Sequence, residues 1–564
     1  MQYNFKKSLF PLLLLSLLLS FSCNNNSNYY NGMISSAHPI ASKIGLDILK
    51  NGGNAFDAAI AVHFALSVVY PNAGNIGGGG FLVYRLNNGD IGTLDFREKA
   101  PEKSYRDMYI DNIEGELKVD DKRSKIGHLA SGVPGSVDGM VKIYDKFSTV
   151  DWKTLLEPSI KVAREGFGVT EKQAKGLNNV KKSLVSANDH PIPFIKEDPW
   201  KVGDILTQKN LANTLEEIKK SKRDGFYKGA VAELIINEMK SGGGIITQSD
   251  LDNYSSVWRE PVIGYFKNHK IISMGPPSSG GIALVQLLHG AEQLETKNYD
   301  HNSLEYINTI TEIESRVYAD RATHLGDPDF FNVPQKSLLD KEYLLNRFSE
   351  IESSIKTPSS EVKEGSFNGI ESEETTHFSI VDKYGNAVSV TTTINGGYGS
   401  KVVVEGAGFL LNNEMDDFSV KPGYPNMFGL VGGEANSIEP NKRMLSSMTP
   451  TIIEKNDKLF MVVGTPGGST IITSVFQTII NVIDYNMDMQ EAVDSKKFHH
   501  QWLPDVLVVE ENTLSDKLSN DLTKIGHKIV KRKTLGRMDC ILVKEDGSLE
   551  GGADKRGDNI ALGY

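Results

Sequence analysis

The chain has 564 residues, 39% of them hydrophobic and 24% charged, which is the balance of a soluble globular protein with ample core. Its formal charge of −11, without any Lys/Arg cluster, excludes a nucleic-acid surface and points to a small partner. Two cysteines, Cys23 and Cys540, exclude a disulfide framework.

Residues 1–7 carry two lysines, and residues 9–21 form an apolar run too short for a comfortable membrane span. This reads as a secretory signal. Ser22-Cys23 at its end resembles the cut site of a bacterial lipoprotein, so export is expected, to a periplasmic or membrane-anchored location, with Cys23 as the lipidated residue. Residues 24–28 (NNNSN) read as a tether, and no later apolar run reaches the length of a span.

From Gly32 onward helical and strand patterns alternate without a repeat. Residues 41–51 place Ile44, Ile48 and Leu49 on one helical face and stop at Gly52-Gly53. Residues 55–69 are apolar nearly all round, which predicts a helix buried between layers. Strands are expected at 81–85 and 92–96, mainly helices over 100–260, and further helices at 282–294 and 303–323. The segment 356–374 (KTPSSEVKEGSFNGIESEE) is rich in Glu and poor in apolar groups, so it is expected to be exposed and mobile. Residues 375–382 and 387–395 are β-branched-rich runs flanking KYGN, the pattern of a hairpin. A Gly/Pro-rich loop at 419–440, strands near 449–464 and a long helix from Ser469 follow. These elements suggest layered α and β structure in one cooperative unit.

Several motifs carry chemistry. A break at the Glu374–Thr375 bond would give Thr375 a free α-amine beside its hydroxyl, and an amine with pKa of about 7.7–8.0 suits the base that a weak hydroxyl nucleophile needs. Gly467-Gly468, before a long apolar helix, leave N–H groups at its positive end, where an oxyanion would be stabilised. Arg97 follows a strand end and offers a planar fork to a carboxylate. The run Asn412-Asn413-Glu414-Met415-Asp416-Asp417 offers acceptors to an ammonium, and Ser446-Ser447 add neutral donors. Residues 77–80 (GGGG) precede a strand and lack a following Gly-Lys-Ser/Thr, so they read as close backbone packing or approach to a ligand, not a phosphate loop. Ser278-Ser279 read as helix caps. His499-His500 are adjacent and diverge, so no metal site is read, and no cofactor is called for. Cys540, between Asp539 and Ile541, reads as a buried strand thiol.

Taken together, Asn51 to Ala55, Ala73 to Gly80, Asp95 to Glu98, Thr375 to Ser379, Asn412 to Phe418, Leu445 to Met448, Pro466 to Ser469 and Phe498 to Trp502 resemble the γ-glutamyltranspeptidase family, over nearly the whole chain from Gly32 to Tyr564. The resemblance implies an α+β fold, a four-layer αββα sandwich of the N-terminal-nucleophile hydrolase type. It implies a precursor that cuts itself into a large subunit, 24–374, and a small subunit, 375–564, after a signal at 1–23, with the two chains remaining a heterodimer. It assigns Thr375 as nucleophile, Thr393 as its hydrogen-bonding support, and Gly467 and Gly468 as oxyanion donors. Arg97, Ser446 and Ser447 would hold the substrate α-carboxylate, and Asn395, Glu414 and Asp417 its α-ammonium.

The implied substrates are glutathione and other γ-glutamyl amides, with water or an amino-acid or dipeptide acceptor resolving a γ-glutamyl ester, in two steps and without cofactor. Phe428 lies in the segment that resembles the family's active-site lid, where Tyr also occurs. Two other readings remain open at this point: a related acylase or poly-γ-glutamate-processing enzyme on the same scaffold, and an exported amino-acid-binding lipoprotein without turnover.

Overall fold

Two antiparallel sheets stacked face to face form the middle of the molecule, whose computed structural model describes residues 29–113, 116–363 and 375–564. The predicted signal, Cys23 and Glu374 lie outside the described residues. In chain order the strands are β1 (Gly32–Ser36), β2 (Gly79–Arg85), β3 (Ile91–Asp95), β4 (Val257–Arg259), β5 (Val262–Phe266) and β6 (His269–Ser273). Then come β7 (Thr376–Asp382), β8 (Ala387–Thr393), β9 (Thr451–Lys455), β10 (Lys458–Val463), β11 (Asp539–Val543), β12 (Leu549–Ala553) and β13 (Ile560–Gly563). One sheet runs β13-β1-β7-β8-β2-β3-β4 and the other β12-β11-β10-β9-β6-β5.

Side chains alternate across the first sheet with the strand period of two. Ile34, Leu82, Tyr84, Phe378, Ile380, Val388 and Val390 join a core under α1 (Pro39–Lys50) and α2 (Ala55–Val69). Met33, Phe81, Val83, Val381 and Ala387 point the other way, toward the second sheet. That sheet is covered in turn by α3 (Gly280–Gln293), α4 (Leu304–His324) and α5 (Thr470–Ile483). The result is the four-layer αββα sandwich, with each large apolar side chain so buried contributing about 1.5–3 kcal/mol.

Local sequence accounts for the element ends. Every residue of α2 is buried, and Asn54 and Asp57 close its start as a capping box. Helix α1 begins two residues before the predicted start, because Pro39 occupies its first turn and His38 Nδ1 accepts the Ile40 N–H. It stops where Gly52 turns to φ +97°. The glycines at 77–80 are close-packing positions: a Cβ on Gly78 would stand 2.1 Å from the Thr393 carbonyl oxygen, and one on Gly80 2.4 Å from that of Thr391. Between the sheets the polar side chains pair with one another. Ser35 Oγ donates to Asp539 Oδ1 at 2.8 Å, and Ser379 Oγ to the Asp539 carbonyl at 2.8 Å. Cys540 is fully buried in β11.

Two expectations are corrected. Residues 356–363, the first part of the segment expected to be exposed and mobile, are tied down. Lys356 Nζ lies 2.8 Å from Asp505, the Thr357 N–H donates to Glu312 at 2.8 Å, and Trp502 Nε1 donates to the Ser359 carbonyl at 3.0 Å. Ser359 and Val362 are buried. Polar composition misleads here because the acceptors come from elements remote in sequence. Residues 364–374 lie outside the described residues. The second correction concerns Ser278-Ser279, of which only Ser278 caps α3, accepting the Gly280 N–H at 3.0 Å. Ser279 instead donates its hydroxyl to the Ser446 carbonyl at 2.7 Å.

Candidate active site

Thr375 stands one step before β7, just past the Thr376–Thr392 pair of the β7–β8 ladder, which brings it beside Thr393 at the end of β8. The chain then turns at Asn395 (φ +68°), whose N–H donates to Thr393 Oγ1 at 2.7 Å and whose side chain donates to the Asn413 carbonyl at 2.9 Å. The end of β8 and the 412–417 run are thereby locked together. Of the described residues predicted to bind or react, all but Gly467 line one cavity. It holds Thr375, Thr393, Asn395, Gly468, Arg97, Glu414, Asp417, Ser446 and Ser447.

Arg97 follows β3 and is 1% exposed. Its backbone is fixed by an N–H donated to Asp95 and by the Tyr254 hydroxyl, which donates to the Arg97 carbonyl at 2.8 Å. The guanidinium pairs with Glu414 and Asp417 and lies 3.7 Å from Glu98. Burial pulls the Arg97 pKa down, but Glu414, Asp417 and Glu98 more than offset it and hold the charge firmly. Burial pushes the Glu414 carboxyl well up, with repulsion from Glu98 adding to it, and burial likewise raises Asp417 against the pull of Arg97. Three carboxylates thus share one guanidinium.

Glu98 sits behind this cluster, fully buried, and among the described residues neither of its carboxylate oxygens has a hydrogen-bond partner. Desolvation, only partly opposed by Arg97, raises its pKa to about 8. A carboxyl whose folded pKa lies above its ordinary 4.5 contributes stability that is full below 4.5 and lost as pH rises through 8. Glu98→Gln is therefore expected to flatten the fall in unfolding free energy between those pH values, by on the order of 5 kcal/mol. Urea unfolding at pH 5 and pH 8.5 reads this, and an unchanged slope would show that Glu98 does not titrate in that window.

Among the described residues that line the cavity there is no imidazole to serve as base. His377 shares a strand face with Thr375, but its Nδ1 is 2.8 Å from Thr391 Oγ1 and its Nε2 3.1 Å from Ser379 Oγ. Burial holds its pKa down at about 3. Opposite Thr375, Gly467 (φ +142°) and Gly468 (φ +53°) lead into α5, and among the described residues neither N–H is taken by an internal acceptor. The left-handed turn needs glycine, and a Cβ on Gly468 would stand 2.5 Å from Phe428 Cδ1. Gly468→Ala is expected to fold yet lose about 10²-fold or more in turnover as the donor is displaced. Full activity in that variant would remove this N–H from the mechanism.

Phe428 is buried over Gly468, and its loop is tied to the cluster by Asn426, whose Nδ2 donates to Asp417 Oδ1 at 3.1 Å. The apolar ring of Phe428 therefore covers this side of the cavity. Sequence reasoning missed Arg321, which also lines the cavity. Its sole signal was a cation in the last turn of α4, common to many helices. Among the described residues no cluster of metal-ligating side chains occurs, and no helix is long and apolar enough to cross a membrane.

The family profile described as gamma-glutamyltranspeptidase matches residues 41–564. The chain is 45% identical to the glutathione hydrolase proenzyme of Escherichia coli (strain K12), over 94% of this chain and 92% of that protein. Among solved structures it resembles a cephalosporin acylase from Bacillus halodurans, with a TM-score of 0.82 at 24% identity, covering 100% of this chain and 99% of that one. It also resembles the Helicobacter pylori γ-glutamyltranspeptidase, with a TM-score of 0.57 at 44% identity, covering 58% of this chain and 94% of that chain.

Proposed function

The chain belongs to the γ-glutamyltranspeptidase family, and from that premise we propose that it is a self-cleaving glutathione hydrolase and γ-glutamyltransferase with Thr375 as its nucleophile. The observation that carries the reading is the charge layout of one small cavity. Cationic and hydroxyl donors (Arg97, Ser446, Ser447) and carboxylates (Glu414, Asp417) stand on the walls that Thr375 and Gly468 share. A γ-glutamyl group keeps both its α-amine and its α-carboxylate, so it presents a zwitterion at one end and the scissile amide at the other. Leaving either charge unpaired on desolvation costs about 2–5 kcal/mol, enough to reject a neutral acyl chain.

In the proposed cycle the free α-amine of Thr375 takes the hydroxyl proton as Oγ attacks the γ-carbonyl. The developing oxyanion is met by the Gly467 and Gly468 N–H groups. Collapse breaks the amide C–N bond, the proton passes to the departing amine, and a γ-glutamyl ester of Thr375 remains. Water then releases glutamate, or an amino-acid or dipeptide amine takes the acyl group. Asn395, Glu414 and Asp417 hold the α-ammonium, and Thr393 supports the nucleophile.

Cleavage at Glu374–Thr375 into chains 24–374 and 375–564 belongs to the same proposal, supported by the proenzyme named among the relatives and by the H. pylori chain, which is nearly all matched by 58% of this one. Export, with lipidation at Cys23, rests on residues 1–23 of the sequence alone.

The test is chromophore release from a γ-glutamyl anilide by residues 24–564, with and without a dipeptide acceptor. Release is expected, and a rise with acceptor marks transfer. A protein that has split into two chains yet releases nothing would refute the γ-glutamyl assignment.

A further inference from the structure

Arg321 is a buried cation on the cavity wall, 5% exposed, in the last turns of α4. Unlike Arg97, it has no carboxylate within ion-pairing distance among the described residues. Burial lowers its pKa to about 10, with Tyr318 and then Asp417 offsetting only part of that. Its contacts are hydroxyls: Nε donates to Ser279 Oγ at 2.9 Å, and Nη2 donates to Ser447 Oγ at 3.1 Å.

The direction of these bonds is fixed, because a guanidinium has donors and no acceptor. Ser279 Oγ accepts from Arg321 and passes its own proton to the Ser446 carbonyl at 2.7 Å, reinforced by the Ser279 N–H to the same oxygen at 2.8 Å. Arg321 and Ser279 together therefore hold the 446–447 turn in place. Ser447 Oγ must also accept from Arg321, which leaves the Ser447 proton for another acceptor. Ser446 Oγ accepts the Met448 N–H at 3.1 Å, so its proton too is left to donate. Both hydroxyls line the cavity.

We propose that Arg321 is a specificity-determining residue for the substrate's α-carboxylate. It polarises Ser447 into an obligate donor and supplies the positive charge of that end of the cavity. Arg97 cannot supply it alone, since its fork is already balanced by Glu414 and Asp417 with Glu98 behind. Arg321 is thus the cation that an incoming anion neutralises. The inference rests on the γ-glutamyl reading of the site and adds to it a residue outside the predicted set.

Three anilides test it: γ-glutamyl, 4-aminobutanoyl (the same group without the α-carboxylate) and glutaryl (the same group without the α-amine). In the wild-type chain the γ-glutamyl anilide is preferred over both. Arg321→Gln keeps a neutral donor and removes the charge. It is expected to raise KM for the γ-glutamyl anilide by about tenfold or more with kcat within about threefold, the size of one lost charge-assisted contact. The preference over the 4-aminobutanoyl anilide should fall by the same factor, while glutaryl turnover, which also uses the carboxylate, falls in step with γ-glutamyl. Arg321→Lys, which retains the charge, should restore part of the preference.

A loss shared equally by all three substrates would mark a purely structural role and overturn the proposal, as would an unchanged KM. Should Arg321→Gln fail to yield two chains, Arg321→Lys decides on the same ratio: a fall in preference of less than about tenfold upholds charge as the determinant, and a fall of about tenfold or more overturns it. Failure of the wild-type chain to use the γ-glutamyl anilide would instead strike the function proposed above.

Discussion

Thr375→Ala is expected to leave one uncut polypeptide with turnover reduced by about 10⁴-fold or more, the scale seen when a nucleophile is removed from a covalent mechanism. The same hydroxyl is asked to do two jobs. On the proposed function, in the precursor it attacks the carbonyl that precedes it, and in the mature chain, with a free amine beside it, it attacks the substrate. Alanine removes the attacking atom from both while leaving the backbone of a strand start unchanged, and the site is buried, so the fold should persist. Thr375→Ser keeps a hydroxyl and should still process, more slowly or faster according to how far the threonine methyl orders the attack. Denaturing gels and the anilide assay read both variants. Two chains from Thr375→Ala would mean that another group performs the cut.

Arg97→Met should be the most damaging substitution to stability in the site. It leaves Glu98, Glu414 and Asp417 facing one another, buried, without the cation that all three share. Breaking a buried pair by removing one partner costs about 3–5 kcal/mol. The loss has a pH signature. Burial already raises these carboxyls above their ordinary values, and without Arg97 their folded pKa values rise further. Groups raised in the folded state contribute stability that is present below the unfolded pKa and disappears as pH climbs through the folded one. The deficit relative to the wild-type chain should therefore be small near pH 4.5 and widen toward neutrality. Urea midpoints at pH 5 and 7.5 test this, and an equal deficit at both would mean that lost packing, not charge, carries the effect.

Much of this was legible before the structure. Helix α2 announced itself because residues 55–69 are apolar nearly all round. The β7–β8 hairpin was plain from β-branched runs around Lys383-Tyr384-Gly385-Asn386. Thr375, Gly468, Arg97, the 412–417 run and Ser446-Ser447 stood out by residue chemistry, whereas Thr393, Asn395 and the gathering of all of them into one site came through the family resemblance. Spacing alone does not bring Arg97 to Glu414, which are joined by sheet packing and the 412–417 turn. Arg321 stayed hidden because α4 is buried on nearly every face, Arg316, Asp320 and Arg321 included, so no polar stripe distinguished one charge from another. The pinning of 356–363 stayed hidden for a related reason: its partners Asp505 and Trp502 lie some 140 residues downstream and are specified by tertiary structure alone.

The order of the first sheet, β13-β1-β7-β8-β2, alternates strands from either side of residue 374. Strand β1 is flanked on both edges by strands from beyond that point, and β8 hands its outer edge back to β2. Two chains woven in this way are not an assembly of finished parts. Neither holds a closed sheet by itself, so for them to separate is to unfold. The weave is completed while the polypeptide is still continuous and loop closure is intramolecular. Once cut, the same sheet would have to be rebuilt by a bimolecular encounter of two incomplete halves. Processing therefore turns a reversible fold into a one-way one, and the endurance of the mature protein becomes a matter of how slowly it opens, not of how readily it re-forms.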